Sequence, residues 1–204
     1  MRRTQPQPPR PSGTVLGKLP PRASGGGSLG FFSFLEGDRL ATPGFVLSLR
    51  EKVGHDLLML VGVTAFVEDD EGRLLMGRRA DTGEWALVYG IAEPFEEPAL
   101  SVRREVKEET GVDCVVSELV SVMAQHEEHV YGNGDRCQFV DIAFACQPDP
   151  SGNSEPFVGD DESLAVGWFS PGELPRPLAQ STVERLGWLR RYRAGDGHAI
   201  FELG

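Results

Sequence analysis

One apolar run, from Leu57 to Val67, contains no charged residue and is rich in valine and leucine. A half-exposed strand alternates polar and apolar residues, so a run of this kind predicts a strand that is buried on both faces. A strand buried in this way favours an α/β protein. The turn signal Asp69-Asp70-Glu71-Gly72 and the segment from Arg73 to Arg79 then predict a hairpin with a second strand.

The other predicted elements mix helices and strands. Pro43 is a typical residue for the first turn of a helix, and Gly111 is a typical residue after the last turn. The C-terminal helix is amphipathic, with Val183, Leu186 and Leu189 facing inward. Helices are predicted over 42–53, 98–110 and 181–193, and strands over 112–123, 137–146 and 164–169. Because strands and helices do not alternate regularly, we expect an α/β fold with a mixed β-sheet and helices on both of its faces.

Composition separates an N-terminal tail from the folded part. Residues 1–30 hold five arginines or lysines and no acid, together with six prolines, six glycines and three serines. This composition buries too little apolar surface to offset the entropy of ordering, so it predicts a disordered basic tail. An organelle-targeting peptide is the alternative. Residues 31–204 are predicted to form one domain, with 31–57 as an N-terminal helical extension.

Charge and apolar content exclude several classes of function. Residues 31–204 hold 15 arginines and lysines against 31 acids, and this negative charge disfavours binding to nucleic acid. No apolar run approaches the roughly 18–20 residues that a membrane span requires. The three cysteines are an odd number without a CxxC pair, which disfavours a disulfide framework and favours a cytoplasmic protein. We expect them to lie in the core: Cys114, Cys137 and Cys146.

Three glutamates share one face of the second predicted helix. Glu105, Glu108 and Glu109 stand at positions i, i+3 and i+4, where like charges repel by about 0.2–0.5 kcal/mol per pair. A divalent cation would relieve this repulsion, and carboxylate oxygens suit Mg²⁺ or Mn²⁺. Since these ions usually share their ligand shell with substrate phosphates, the glutamates indicate phosphate chemistry. A solvated helix face is the alternative for three glutamates taken alone.

The surrounding residues follow a longer pattern. From Gly90 to Val112 the sequence reads GIAEPFEEPALSVRREVKEETGV, which matches the Nudix box at nine fixed positions over 23 residues. The chain therefore resembles the Nudix hydrolase family, and the resemblance extends more weakly over about residues 58–175. It implies an α/β/α sandwich in which the box forms a loop, a helix and a loop. It also implies a hydrolase that cleaves a nucleoside diphosphate linked to another moiety, with the help of a divalent metal.

The resemblance implies roles for individual residues of the box. Glu105, Glu108 and Glu109 would hold the metal. Arg104 and Glu96 would pair and fix the loop against the helix. A metal ion of this kind stabilises charge on phosphate oxygens and lowers the pKa of water, so no serine or cysteine nucleophile is needed.

Two positions depart from the usual family pattern. Tyr89 stands where family members commonly have glycine, and its backbone carbonyl falls where the family often ligates a metal. Phe95 replaces the glycine that commonly precedes the first glutamate of the box. If position 95 needs a positive φ, a phenylalanine there is strained.

A general base is expected from outside the box. The segment Asp160-Asp161-Glu162 precedes a predicted strand, and acids in such a loop can reach a bound metal. We expect Glu162 to orient the attacking water and to accept its proton. A base within the box, Glu105 or Glu108, is the alternative catalytic assignment, and a solvated acidic turn is the alternative interpretation of the segment.

Several hypotheses for the substrate remain open. An ADP-ribose-like or nucleotide-sugar-like diphosphate comes first, and a nucleoside triphosphate such as an oxidised dNTP comes second. A non-catalytic nucleotide-binding module is the hypothesis from another class, although such modules usually lose the carboxylates that this box retains. The expected partner is a small nucleotide, with neither nucleic acid nor membrane, and a homodimer is one hypothesis for the assembly.

Overall fold

The computed structural model describes residues 15–16 and 42–203. Its helices are α1 (Gly44–Val53), α2 (Pro98–Thr110) and α3 (Gln180–Ala194). Its strands are β1 (Val15–Leu16), β2 (Leu58–Val67), β3 (Leu74–Arg79), β4 (Trp85–Ala86), β5 (Val88–Ile91), β6 (Cys114–Ala124), β7 (His129–Val130), β8 (Arg136–Pro148) and β9 (Ser163–Phe169).

The predicted tail falls mostly outside the described residues, as do positions 31–41 of the predicted extension. Within the tail, the described residues Val15 and Leu16 pair with Val166 and Ala165 of β9. Disorder of the tail stays a prediction. Helix α1 occupies the later part of the predicted extension and is followed by Gly54, whose φ is +61°.

The described strands form two sheets. One is mixed, in the order β5-β2-β8-β6 with β7 beside β8, and its parallel pair joins β2 to β8 along the whole of β2. The other is antiparallel, in the order β1-β9-β3-β4. The mixed sheet was predicted, whereas the second sheet was not.

The predicted hairpin between β2 and β3 is wrong beyond its turn. A single bridge joins Glu68 to Leu74, after which the two strands enter different sheets. Both edges of β2 are already filled, by β5 on one side and β8 on the other. The backbone groups of β3 therefore pair with β9 and β4 instead.

Side chains of β2 alternate between two cores. Val63, Ala65 and Val67 pack with Val102 and Val106 of α2 on one face of the mixed sheet. On the opposite face lies a second cluster with α3, made of Phe66, Leu74, Leu87, Val120, Ala143, Leu186, Leu189 and Tyr192. Because each face is covered by a helix, the fold is the α/β/α sandwich that the resemblance implies.

Helix α3 buries a different face from the predicted one. Leu186 and Leu189 are buried as expected, but the side chain of Val183 is 43% exposed. The buried stripe instead includes Thr182 and Arg185, whose polar groups find partners across the sheet. Among the described residues, no helix is long and apolar enough to cross a membrane.

Candidate active site

The contact between β5 and α2 brings Glu105, the first of the candidate metal ligands, against β5. A Cβ atom added to Gly90 would lie 2.2 Å from the carboxyl carbon of Glu105, far inside van der Waals distance. Any side chain at position 90 would therefore displace this carboxylate. The glycine that opens the box therefore leaves room for the carboxylate in this position.

Arg104 joins the loop before α2 to the helix. Its Nη2 donates to Glu96 at 3.1 Å, and the Ser101 hydroxyl donates to the same carboxylate oxygen at 2.8 Å. These donors hold the pKa of Glu96 below its ordinary value. Nη1 of Arg104 lies 3.0 Å from a carboxylate oxygen of Glu105 and of Glu108. The arginine thus contacts three glutamates, including the pair with Glu96 that the resemblance implies.

A second group of acids meets the box helix. Burial raises the pKa of Glu105 to about 7, against the opposing charge of Arg104. Burial also raises the pKa of Glu109 well above its ordinary value, and the negative charges of Glu105, Glu162 and Asp160 raise it further. Four carboxyl groups, from Glu105 and Glu109 on the helix and from Asp160 and Glu162 on the loop, therefore form one electrostatic group, called here the acid cluster.

Backbone contacts carry this loop to the helix. The amide of Gly159 donates to the carbonyl of Glu109 at 3.1 Å, and the amide of Phe157 donates to Thr110 at 2.9 Å. These bonds use carbonyls at the end of α2 that the helix itself leaves free. A Cβ atom at Gly159 would lie only 1.9 Å from the carbonyl oxygen of Glu108, so a glycine is needed for the approach.

The donor set fits a hard divalent cation. Within residues 42–203, no three acidic, histidine or cysteine side chains already stand in ligating positions around one point. Nη1 of Arg104 takes the place of a shared cation between Glu105 and Glu108. The remaining acids of the cluster supply carboxylate oxygens alone, which is the ligand type that Mg²⁺ and Mn²⁺ prefer.

Tyr89 lies on β5 immediately before the box, whereas Phe95 lies in the loop between β5 and α2. Tyr89 pairs with Thr64 of β2, so its side chain points to the face of the sheet opposite Gly90 and Glu105. Arg79 donates to its hydroxyl at 2.5 Å. Phe95 has a φ of +69°, alone among the described residues other than glycine, and its ring is fully exposed. The strain predicted for position 95 is therefore present in the backbone.

Sequence reasoning did not name Arg79 as a member of the site, and it named Asp160 only as part of the acidic segment before β9. The charge of Arg79 opposes the rise in the pKa of Glu109 and Glu162 that burial and the other acids cause. Burial also raises the pKa of Asp160, which the sequence analysis had ranked below Glu162. Neither contact has a local signal, since β3, α2 and the loop before β9 are far apart along the chain.

The sequence profile of the NUDIX domain matches residues 59–191. The chain belongs to the Nudix family. It is a pyrophosphohydrolase of the Nudix type, acting on phosphoanhydride bonds. The box glutamates therefore lie within a Nudix domain.

Named relatives differ in how much of their length the match covers. A "MutT-like protein" of Streptomyces ambofaciens is 40% identical over 149 residues, covering 71% of this chain and 88% of the relative. The "8-oxo-dGDP phosphatase NUDT18" of Mus musculus is 30% identical, and the match covers 71% of this chain but only 41% of the mouse protein. A solved MutT Nudix hydrolase from Burkholderia pseudomallei is 28% identical with a TM-score of 0.52, covering 65% of this chain and 98% of that one.

The strain at Phe95 gives a prediction about stability. Phe95→Gly should raise the free energy of unfolding by about 1 kcal/mol, because a positive φ costs an L-residue about 1–2 kcal/mol and glycine much less. Phe95→Ala keeps the strain and loses only an exposed ring, so it should change stability by less than about 0.5 kcal/mol. Urea unfolding at pH 7 measures both variants. Equal stability of the two would contradict strain at this position.

The raised pKa of Glu105 predicts how metal-free stability depends on pH. Since the ordinary value is 4.5 and the folded value about 7, the folded state binds the proton more tightly. The contribution of Glu105 to metal-free stability should therefore be fully present below pH 4.5 and be lost as the pH rises from 4.5 through 7. Glu105→Gln removes the charge, so in EDTA at pH 8 it should raise the free energy of unfolding by about 2–3 kcal/mol, and by much less at pH 5.

The matched control for this experiment is Glu51→Gln, an exposed glutamate on α1 outside the acid cluster. This variant should change the free energy of unfolding by a small amount that is the same at both pH values. Urea unfolding of the wild type and both variants at pH 5 and pH 8 makes the comparison. A stabilisation of equal size at both pH values in Glu105→Gln would rule out ionisation as its cause.

Proposed function

We propose that this chain hydrolyses a phosphoanhydride bond of a nucleotide in the presence of Mg²⁺ or Mn²⁺. The observation that supports the proposal is the acid cluster, in which burial and mutual repulsion raise the pKa of the carboxyl groups. Carboxylates that repel one another in a partly buried place are unfavourable in isolation. Such groups concentrate where a cation or a reacting group uses their charge.

The glutamates of the box are the proposed metal ligands. Glu105, Glu108 and Glu109 would hold the ion, together with the backbone carbonyl of Tyr89. The ion, when bound, neutralises charge on phosphate oxygens and lowers the pKa of water. Arg104 would keep its contacts with Glu96 and so hold the loop against α2 while substrate binds.

Glu162 is the proposed general base. It stands in the acid cluster beside Asp160, whose carboxylate accepts a hydrogen bond from the Glu162 amide at 2.9 Å. This bond orders the loop between the two acids. Burial, followed by the charge of Asp160, raises the pKa of Glu162, which brings the group closer to neutral pH and makes it a better proton acceptor.

Two substrate classes follow from different observations. The resemblance of the box favours a nucleoside diphosphate linked to another moiety, such as an ADP-ribose-like or nucleotide-sugar-like compound. The name of the mouse relative favours a free nucleotide of the 8-oxo-dGDP type, and so the second class, an oxidised nucleoside di- or triphosphate.

Location in the cytoplasm fits the free, buried cysteines and is part of this proposal, as is a homodimer.

Metal dependence is the first prediction of this function. Hydrolysis of a nucleotide panel with Mg²⁺ and Mn²⁺ should release phosphate or pyrophosphate, and EDTA should abolish it. Glu109→Gln should lower kcat by at least about 10²-fold, because it removes a charged ligand. Glu51→Gln, an exposed glutamate on α1, is the matched control and should retain full activity. Undiminished turnover in Glu109→Gln would exclude it as a ligand.

The role of Glu162 gives a second prediction. Glu162→Gln should lower kcat by about 10²- to 10⁴-fold with little change in KM, because it removes a proton acceptor but not a substrate contact. Asp161→Asn, at the neighbouring position outside the acid cluster, should have a much smaller effect. Steady-state kinetics at neutral pH compares the two. Wild-type turnover in Glu162→Gln would leave Glu105 or Glu108 as the base.

A further inference from the structure

An arginine on α3 is buried against the face of the mixed sheet opposite the acid cluster. The Arg185 side chain is 8% exposed and the Asp141 side chain 1% exposed, and the two form an ion pair. Burying both charges carries a large desolvation cost, which apolar side chains of similar size would avoid. A buried pair of this kind is therefore poor evidence for a purely stabilising role.

The hydrogen bonds among the described residues leave one nitrogen of the Arg185 guanidinium without an acceptor. Asp141 accepts from Thr64 Oγ1 at 2.9 Å through one oxygen, and from Arg185 Nε at 2.8 Å and Nη2 at 2.5 Å through the other. Both oxygens of the carboxylate therefore accept hydrogen bonds. Nη1 of Arg185 is buried and has no hydrogen-bond partner among the residues that the structure describes. A charged donor in this state is unfavourable unless another acceptor reaches it.

Planar side chains surround this guanidinium. Its Cζ atom lies 4.6 Å from the centre of the Tyr89 ring and 6.0 Å from that of Trp188. Both rings are only partly buried. Planar bases stack on aromatic rings and on guanidinium groups, so a base fits this place better than a sugar or an aliphatic group does.

The Arg185 guanidinium and the acid cluster lie on opposite faces of the mixed sheet, next to each other around its β5 edge. In the mixed sheet β5 is an edge strand, and its Gly90 contacts Glu105 on one face while Tyr89 points to the other. Arg79 donates to the Tyr89 hydroxyl, and its charge acts on Glu109. A nucleotide with its phosphates at the acid cluster can therefore extend past this edge towards Arg185.

We propose that Nη1 of Arg185 donates a hydrogen bond to a carbonyl oxygen on the base of the bound nucleotide. The inference rests on the proposed function, because it takes the phosphates to lie at the acid cluster. An arginine N–H can donate to a carbonyl oxygen on the ring of the base. An amino group at the same position is itself a donor, so it cannot accept this hydrogen bond. The site accordingly selects bases with an oxo group, such as hypoxanthine and guanine, over adenine.

Inosine and adenosine triphosphates test this selection, because their bases differ only in an oxo or an amino group at position 6. The wild type should hydrolyse the inosine compound with a kcat/KM about 10- to 100-fold higher. Arg185→Lys keeps a cation opposite Asp141 but removes Nη1, so the ratio should fall towards one. Arg190→Lys, on the exposed side of the same helix, is the matched control and should retain the wild-type ratio.

Binding without metal separates this inference from the proposed function. Quenching of tryptophan fluorescence by inosine or adenosine monophosphate in EDTA needs no hydrolysis, and the inosine compound should bind more tightly. If Arg185→Lys does not fold, the double variant Asp141→Asn/Arg185→Gln replaces the ion pair with neutral amides and should abolish the preference. Equal wild-type affinity for the two, no binding of either, or a preference that survives in a folded variant would overturn the role of Arg185. Failure of hydrolysis alone would count against the proposed function.

Discussion

The close approach of Glu105 to Gly90 is the contact on which the site depends. Val102 and Val106 pack α2 against the mixed sheet, and the missing side chain at position 90 leaves room there for the carboxylate of Glu105. Packing therefore forces a carboxylate into a place where its ionised form is unfavourable. The helix end then binds the acidic loop through Gly159, which adds further negative charge to the same place.

Local patterns predicted the parts of the molecule whose causes are local. The bounds of α2 follow from its residues, with Gly111 at a φ of +72° after the last turn, as predicted. The apolar run predicted a buried strand, and this is confirmed for residues 62–67, where both faces are covered. It is wrong for the start of the run, where Met59 and Val61 are exposed. The box placed three glutamates on one helical face, and their metal-binding and catalytic roles stay predictions.

Contacts between distant segments could not be read from the sequence. Nothing near Arg185 in the sequence indicates that it pairs with Asp141, 44 residues away. The division of the strands into two sheets has a similar cause, because β3 pairs with β9 only once both edges of β2 are filled. Val183 lies outside the buried stripe since Arg185 and Thr182 occupy the inward positions instead.

Strand β5 links the two faces of the mixed sheet because neighbouring residues of a strand point in opposite directions. Gly90 admits the carboxylate of Glu105 on one face, and Tyr89 contacts two arginines on the other. The Tyr89 ring lies between the acid cluster and the buried ion pair. A glycine at position 89 would remove this ring and with it the contacts to Arg79 and Arg185. The departure from the usual box at Tyr89 therefore gives the strand a second contact surface, and the ladder with β2 holds both surfaces in one register. Two adjacent residues would thus connect the proposed phosphate chemistry on one face with the proposed recognition of a base on the other.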